Sequence, residues 1–405
     1  MPLETTLNPP SVPSFDHLPT LKRWLLATLA RIQHGRLSIH LDGEYYVLGH
    51  SDELHASIHI HRPFRLALKC LTKADLGFGE AYIAGDWSSE HPVDLLTLLL
   101  RNWEQFGKVL DDRKLLREPA NWFHRLRRNS VRNSRKNIAH HYDMGNDFYR
   151  EWLDTSMTYS SALYTTPDLT LEQAQRAKYQ RILDELQVQA GQTVLEIGCG
   201  WGGFAEMAAE QGCKVHGITL SSEQLAWAQQ RLERFGAQTV LELRDYRHLE
   251  GTYDHIVSIE MFEAVGEQYW ETYFQTLHRH LKPGGRAVLQ IITIGDEWFD
   301  MYRSRADFIQ RYIFPGGMLP SPAKLEKLVA NSRLKQINHI GFGKDYARTL
   351  REWDARFVAA LPTLRPLGYD QRFERLWRYY LAYCEAGFTE NRLDVVQVTL
   401  EKPLS

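Results

Sequence analysis

Between residues 171 and 294 the apolar residues keep changing their period. "LEQAQRAKYQRILDEL" spaces them as an amphipathic helix does, and "TVLEI" follows as a short continuous apolar run. The alternation then repeats. A helix over "FAEMAAEQ" precedes the strand "CKVHGITL", and a helix over "SSEQLAWAQQRLERFG" precedes "TVLELR" and "YDHIVSI". A helix over "QYWETYFQTLHRHL", the turn "KPGG" and the strand "RAVLQIITI" complete the series. Ser221 and Gln224 have capping-box spacing at the start of their helix. Repeated β–α units of this length predict an α/β fold with a mainly parallel sheet and helices on both faces. Ligands then belong at the carboxyl ends of the strands, near the topological switch point.

The chain of 405 residues, 43% hydrophobic, is long enough for two or three domains. "RLSIHLDGEYYVLGH" and "ASIHIHRP" alternate like half-buried strands, and "HPVDLLTLLLRNWEQFGKVL" reads as a helix. Residues 1–110 are therefore expected to form a small α+β domain, 111–137 a basic linker, and 138–405 the larger domain. The segment "RKLLREPANWFHRLRRNSVRNSRK" holds nine Lys/Arg and one acid, with Trp122 and Phe123 among them. A solvated linker and a surface for anionic lipid headgroups both fit it; each basic residue near such a surface is worth about 1 kcal/mol. RNA binding finds no support elsewhere, and the net charge of -2 argues against a nucleic-acid partner. Cys70, Cys199, Cys213 and Cys384 have neither zinc-site nor disulfide-framework spacing, which points to a reducing compartment and no metal. "MPLETTLNPP" does not read as a signal peptide, and runs such as "VDLLTLLL" fall well short of the ~20 residues that span a bilayer. A soluble or peripheral cytoplasmic protein is expected.

The turn in "VLEIGCGWGGF" fits G-x-G-x-x-G through Gly198, Gly200 and Gly203, for which a dinucleotide site is the ordinary reading. Three features favour another ligand. Glu196 ends the strand just before the turn, where a carboxylate repels a pyrophosphate and suits a cation. The acid expected about 20 residues further on in a dinucleotide site is absent, and Thr219 stands near the end of the second strand. "HLKPGGRAVLQ" sets a turn before the fifth strand. Together "E-x-G-C-G-x-G" and "LKPGG" resemble the signature of S-adenosylmethionine-dependent methyltransferases, with a Rossmann-like class I fold.

The block "HHYDMGNDFYREWLDTSMTYSSALY" narrows the resemblance further. With "EIGCGWGG", "ITLSSEQ", "MFEAVG", "YIFPGGMLPS" and "RYYLAYC", in order from about 138 to 388, it resembles the cyclopropane-fatty-acyl-phospholipid synthase family, which includes the mycolic acid cyclopropane synthases. "FGEAYIAGDW" resembles part of the family's lipid-facing N-terminal domain. The resemblance implies that Tyr159, Ser160, Glu196, Gly198, Gly200, Gly202, Thr219 and Gln224 hold S-adenosylmethionine. It also implies that Asp245 and Tyr246 meet its adenine and that Tyr142 closes over it. Aromatic packing is the plainer alternative for Tyr142, Tyr159 and Tyr246. His140 and His141 read as structural.

An alkene is a weak nucleophile, so its methylation depends on alignment and exclusion of water. The resulting cation needs a base if a ring is to close. In the family that base is a bound bicarbonate. The resemblance carries its cradle to Glu263, Tyr346 and Ile294, and puts Ser161 where the family has a cysteine. Ile292 and Ala264 stand at histidine positions, and these departures count against bicarbonate. Glu263 could itself be the base, or simply a carboxylate at a helix N-terminus. Cys384 matches a cysteine once regarded as a nucleophile, although an inert thiol fits it better. The expected partner is a membrane phospholipid with unsaturated acyl chains, met at the inner face of the membrane, with a homodimer left open. Cyclopropanation is the leading expectation and a methyl- or methylene-branched product the second. Amine methylation and a non-catalytic lipid-binding role remain as alternatives.

Overall fold

The computed structural model describes residues 15–50, 53–106 and 144–404. These fall into two compact units, the first within 15–106 and the second within 144–404. The basic segment 113–136, His140, His141 and Tyr142 lie outside the described residues.

The first unit has a four-stranded sheet in the order β2-β1-β3-β4. Its strands are β1 (Arg36–Leu41), β2 (Glu44–Gly49), β3 (His55–Ile60) and β4 (Trp87–Ser88), with helices α1 (Thr20–Leu29), α2 (Pro63–Ile83) and α3 (Pro92–Arg101). β1 runs antiparallel to β2 and parallel to β3, so the unit mixes both pairings. α2 is interrupted at Ala74, which has φ 50°. "FGEAYIAGDW" covers the end of α2 and the start of β4.

Asp86 ties these elements together. Its backbone carbonyl accepts from the His61 and Arg62 N–H groups. Its fully buried carboxylate meets Lys69 Nζ at 2.7 Å, Arg62 Nη1 at 3.2 Å and Arg65 Nε at 3.4 Å. Burial works to raise the Asp86 pKa, but the Lys69 and Arg62 hydrogen bonds outweigh it and hold the carboxyl below its ordinary 3.8.

The second unit carries a seven-stranded sheet in the order β10-β11-β9-β8-β5-β6-β7. Its helices and strands begin with α4 (Gly145–Arg150), α5 (Leu171–Leu186), β5 (Thr193–Ile197), α6 (Gly203–Glu210) and β6 (Lys214–Thr219). They continue with α7 (Ser222–Leu232), β7 (Thr239–Leu243), β8 (Tyr253–Ile259), α8 (Trp270–His280) and β9 (Leu281–Ile294). The remainder are α9 (Asp296–Ser304), α10 (Phe308–Tyr312), α11 (Pro322–Asn331), β10 (Lys335–Gly341), α12 (Gly343–Leu364), α13 (Gln371–Thr389) and β11 (Leu393–Glu401). β5 to β9 pair in parallel, and β11 runs antiparallel between β9 and β10.

Hydrophobic cores cover both faces of this sheet, which is why its central strands read as continuous apolar runs. The chain leaves β5 toward β6 and β7, then crosses back to β8 on the other side. The strand order therefore reverses between β5 and β8, and the loops after these two strands meet there. β9 differs from the sequence expectation, because "KPGG" lies inside the strand and not before it. Gly284 takes φ 75°, and β8 shifts register opposite that stretch.

Asp86→Asn should lower the stability of the first unit by about 3 kcal/mol near neutral pH, because it breaks a buried charge cluster. A depressed carboxyl stabilises above its unfolded pKa and stops doing so as pH falls through the folded value. The deficit should accordingly vanish in acid. Urea unfolding of the full chain, followed through buried Trp87, measures it.

Candidate active site

The glycine turn lies at the switch point. Gly198 and Cys199 both donate their N–H groups to the Ile218 carbonyl, at 2.9 and 3.0 Å, which fastens the turn to the end of β6. Gly198 has φ 87°, and a Cβ there would stand 2.9 Å from Met261 Cγ. Gly200 has φ 50° with nothing within 4 Å of a Cβ position, so open space adjoins bare backbone. Gly202, at φ 84°, is the N-cap of α6.

Beyond β6, the Thr219 hydroxyl donates to Gln224 Oε1 at 3.1 Å and accepts from the Ser221 N–H at 3.2 Å. Ser221 caps α7 through the Gln224 N–H, but the Gln224 side chain goes to Thr219, so the capping box its spacing predicts is half made. After β7, Asp245 is nearly buried and held by the Arg247 guanidinium at 2.6 and 2.8 Å. Tyr246 beside it is buried, its hydroxyl is without a hydrogen-bond partner, and burial pushes its pKa up to about 12.

Three carboxylates converge near this turn. Glu196 is buried, and its Oε2 has no hydrogen-bond partner. Desolvation drives its pKa well up, opposed by Lys178 and the Ala205 N–H. Glu263 lies in the loop after β8. Its Oε1 accepts from the Ile292 N–H at 2.6 Å, and its enclosed Oε2 has no partner. Loss of solvent, then the neighbouring Glu260, raise the Glu263 pKa to about 8. Glu260 accepts from the Ser161 N–H at 2.8 Å and from Gln290 Nε2 at 2.7 Å through Oε1, and from the Tyr346 hydroxyl at 2.8 Å through Oε2.

A buried cation faces Glu196 and Glu260. Lys178, 0% exposed on α5, donates to Ser160 Oγ at 2.6 Å. Burial pulls its pKa down to about 7, against the pull of Glu260, Asp154 and Glu196. Sequence reasoning missed both Lys178 and Glu260. Lys178 occupies the apolar stripe of α5 with Ala174, Gln175 and Ile182, and a lysine on such a stripe was the available signal. Glu260 sits three residues before Glu263 at the end of a central strand, a second acid that no motif demanded.

The remaining sequence candidates distribute as follows. Ser161 brings its N–H to the site, while its hydroxyl turns to the Ala162 carbonyl at 2.9 Å. The Ile294 N–H is taken by the Pro320 carbonyl at 3.0 Å, so the backbone donor that faces Glu263 comes from Ile292. Tyr159 bonds the Tyr380 hydroxyl at 2.8 Å and lies 5.2 Å from the Trp353 ring. Trp353 also stands edge-on to Tyr346, which makes an aromatic wall beside the carboxylates. Cys384 on α13 is partly covered. Loss of solvent pushes its thiol far above its ordinary value, which suits an inert sulfur. Among the described residues no cluster of His, Cys, Asp and Glu is arranged for a metal.

These residues fit a sulfonium ligand. Among the described residues carboxylates outnumber buried lysines here, the Glu196 and Glu263 Oε2 atoms stand without partners, and the adjoining glycine backbone is bare. Fold and site together define a class I S-adenosylmethionine-dependent methyltransferase. Comparison with known proteins is more specific. The mycolic acid cyclopropane synthetase family model matches residues 129–398. The tuberculostearic acid methyltransferase UfaA1 of Mycobacterium tuberculosis is 40% identical over 363 residues, 87% of this chain and 84% of that protein. The cyclopropane-fatty-acyl-phospholipid synthase of Escherichia coli strain K12 is 36% identical over 343 residues, 82% of this chain and 85% of that one. The solved cyclopropane synthase MmaA2 of Mycobacterium tuberculosis, 31% identical, superposes with a TM-score of 0.62 over 66% of this chain and 97% of that one. The chain belongs to the mycolic acid cyclopropane synthetase family.

Two measurements probe this site. Glu196→Gln should weaken S-adenosylmethionine binding about tenfold or more, a loss of about 1.4 kcal/mol, by calorimetry. The ligand-free protein should be no less stable, because a buried, poorly compensated acid has been removed. Glu263 has a folded pKa of about 8, above its ordinary 4.5. Its neutral form is the one the fold favours, so ligand-free stability should fall as pH rises through that window. Glu263→Gln should abolish that part of the fall, read by thermal unfolding between the two values.

Proposed function

We propose that the protein transfers a methyl group from S-adenosylmethionine to the double bond of an unsaturated phospholipid acyl chain, and closes a cyclopropane ring. The observation that carries this reading is the aromatic wall of Tyr159, Tyr346 and Trp353 set against under-compensated carboxylates at one switch point. A greasy chain and a cationic donor need those two surroundings side by side.

In this reading Glu196 and the bare turn at Gly198, Gly200 and Gly202 receive the donor. Thr219, Gln224, Asp245 and Tyr246 border its adenosyl end, and Tyr159 and Ser160 its reactive end. Tyr142 is the proposed lid. Glu263, Tyr346, Ser161 and Ile294 surround the reacting carbons. The segment containing Phe314 and Met318 covers that region, with the Met318 N–H bonded to the Glu263 carbonyl at 2.8 Å. Methyl transfer leaves positive charge on the chain, and the acids beside the aromatic rings stabilise it.

The substrate is proposed to be taken from the cytoplasmic face of a membrane. No helix among the described residues is long and apolar enough to cross one. The first unit instead exposes Phe64 at 49% and Leu68 at 57%, one helical turn apart at the start of α2, beside Arg62 and Arg65. Apolar residues flanked by arginine suit an anionic interface. A methyl- or methylene-branched product is the second reading. The 40% identity to a tuberculostearic acid methyltransferase favours it, as do Ile292 and Ala264 at the histidine positions.

Methyl-labelled S-adenosylmethionine and unsaturated phospholipid vesicles test the proposal. Label should enter the acyl chains, and mass spectrometry after hydrogenation separates ring from branch. Label found only in soluble amines would defeat it. Phe64→Asp with Leu68→Asp should weaken vesicle binding by about tenfold or more, since each removes an apolar side chain worth roughly 1.5 kcal/mol or more on burial. Flotation assays read the loss.

A further inference from the structure

We propose that the carboxylate of Glu260 takes the place of the free bicarbonate, so that this enzyme carries its proton acceptor as part of its own chain. The inference rests on the acyl-methylation reading above and adds the identity of its base.

The anion cradle implied by the family resemblance includes Ser161 and Tyr346. Both are present, and both donate to Glu260: the Ser161 N–H at 2.8 Å and the Tyr346 hydroxyl at 2.8 Å. Gln290 Nε2 adds a third bond at 2.7 Å. The donors are thus spent on an internal carboxylate, and a free bicarbonate does not fit the same cradle. The other departures agree. Ile292 and Ala264 leave the site without the histidines that would help bind a loose anion. The Ile294 N–H is committed to Pro320.

Backbone geometry supplies a second, independent observation. Glu260 holds φ 48°, a left-handed conformation that strains a residue with a side chain by about 1–2 kcal/mol. The strain is sustained by its N–H, bonded to the Gln290 carbonyl at 2.8 Å, and by the three bonds to its carboxylate. Met261, the next residue, packs against Gly198 of the glycine turn, so this loop joins the donor site to the carboxylates. Burial raises the Glu260 pKa, offset by Lys178 and then by the Ser161, Gln290 and Tyr346 bonds. That balance suits a group that must take up a proton and release it again.

When bound, S-adenosylmethionine supplies a sulfonium methyl: the alkene π pair forms the new C–C bond, the S–CH3 pair stays on sulfur, and a cation remains on the neighbouring chain carbon. Glu260 then accepts a proton from the new methyl group. The C–H pair so freed forms the third bond of the ring; where a 1,2-hydride shift first moves the cation onto the methyl-bearing carbon, loss of the same proton gives a methylene branch. Neutral Glu260 returns its proton to water when product leaves. No other co-reactant is needed.

The test compares wild type, Glu260→Gln and Glu260→Gly in buffers stripped of carbon dioxide and in buffers with added bicarbonate. Wild type should turn over equally in both and show no binding of isotopically labelled bicarbonate by NMR. Glu260→Gln, whose amide still fills the cradle, should lose about 100-fold or more in both. Glu260→Gly relieves the strained φ and empties the cradle. It should be equally slow in stripped buffer, bind bicarbonate, and regain about tenfold or more when it is added. S-adenosylhomocysteine affinity near the wild-type value verifies folding of each variant. Wild-type turnover that depends on bicarbonate, bicarbonate binding to wild type, or full activity in Glu260→Gln would overturn the inference. The binding arm decides it even if the lipid substrate proves wrong, so the two failures are told apart.

Discussion

The site depends on an imbalance of charge held away from water. Glu196 and Glu260 share one lysine, Lys178, and Glu263 lies beside Glu260, at the point where the strand order reverses. A buried ionised group without a partner is costly, and Lys178 is shared among Glu196, Glu260 and Asp154. In the ligand-free protein burial therefore pushes these acids toward their neutral forms beside a loop of bare backbone. A cationic sulfonium favours their charged forms, while a pyrophosphate would be repelled by them. Cofactor choice on a glycine turn shared by many folds thus follows from the acids around it more than from the glycines themselves.

Much of the second unit was legible because parallel strands buried on both faces leave continuous apolar runs. "TVLEI" and "YDHIVSI" coincide with β5 and β8. The last two strands left no such trace. β10 is exposed along almost its whole length and shows no alternation, and β11 gains its meaning only from strands far away in sequence. The turn "KPGG" misled for a related reason. Pro and Gly normally end a strand, yet here neighbouring chain segments carry β9 through them. In the site, the family resemblance assigned Glu196, Gly198, Thr219 and Glu263 to one region, and the structure brings the turn at Gly198 against Ile218, next to Thr219, and against Met261, two residues before Glu263. The resemblance could not reveal that Ser161 offers its backbone and not its hydroxyl, nor that Ile294 is already engaged. Such details depend on which way a peptide plane turns. Lys178 and Glu260 were hidden because helix periodicity discounts a lone charge and motif reading stops at the acid it expects.

The relatives sharpen the chemical question. A tuberculostearic acid methyltransferase and a cyclopropane-fatty-acyl-phospholipid synthase lie at 40% and 36% identity. One name denotes a methyltransferase and the other a cyclopropane synthase. For the chain cation proposed above, ring or branch turns on which hydrogen the base can reach. An acceptor fixed to the backbone reaches fewer directions than a loose anion does, so its placement bears on product as well as on rate.

The placement of β11 has a consequence for how the protein is made. Residues 393–401 slot between β9 and β10, with Val395, Val396, Val398 and Leu400 buried. During synthesis β9 and β10 emerge first and must wait, each with an unpaired edge, until the intervening strand leaves the ribosome. An open apolar edge invites pairing with another chain. Nascent copies stalled shortly before residue 393 would be the ones most in need of chaperone cover.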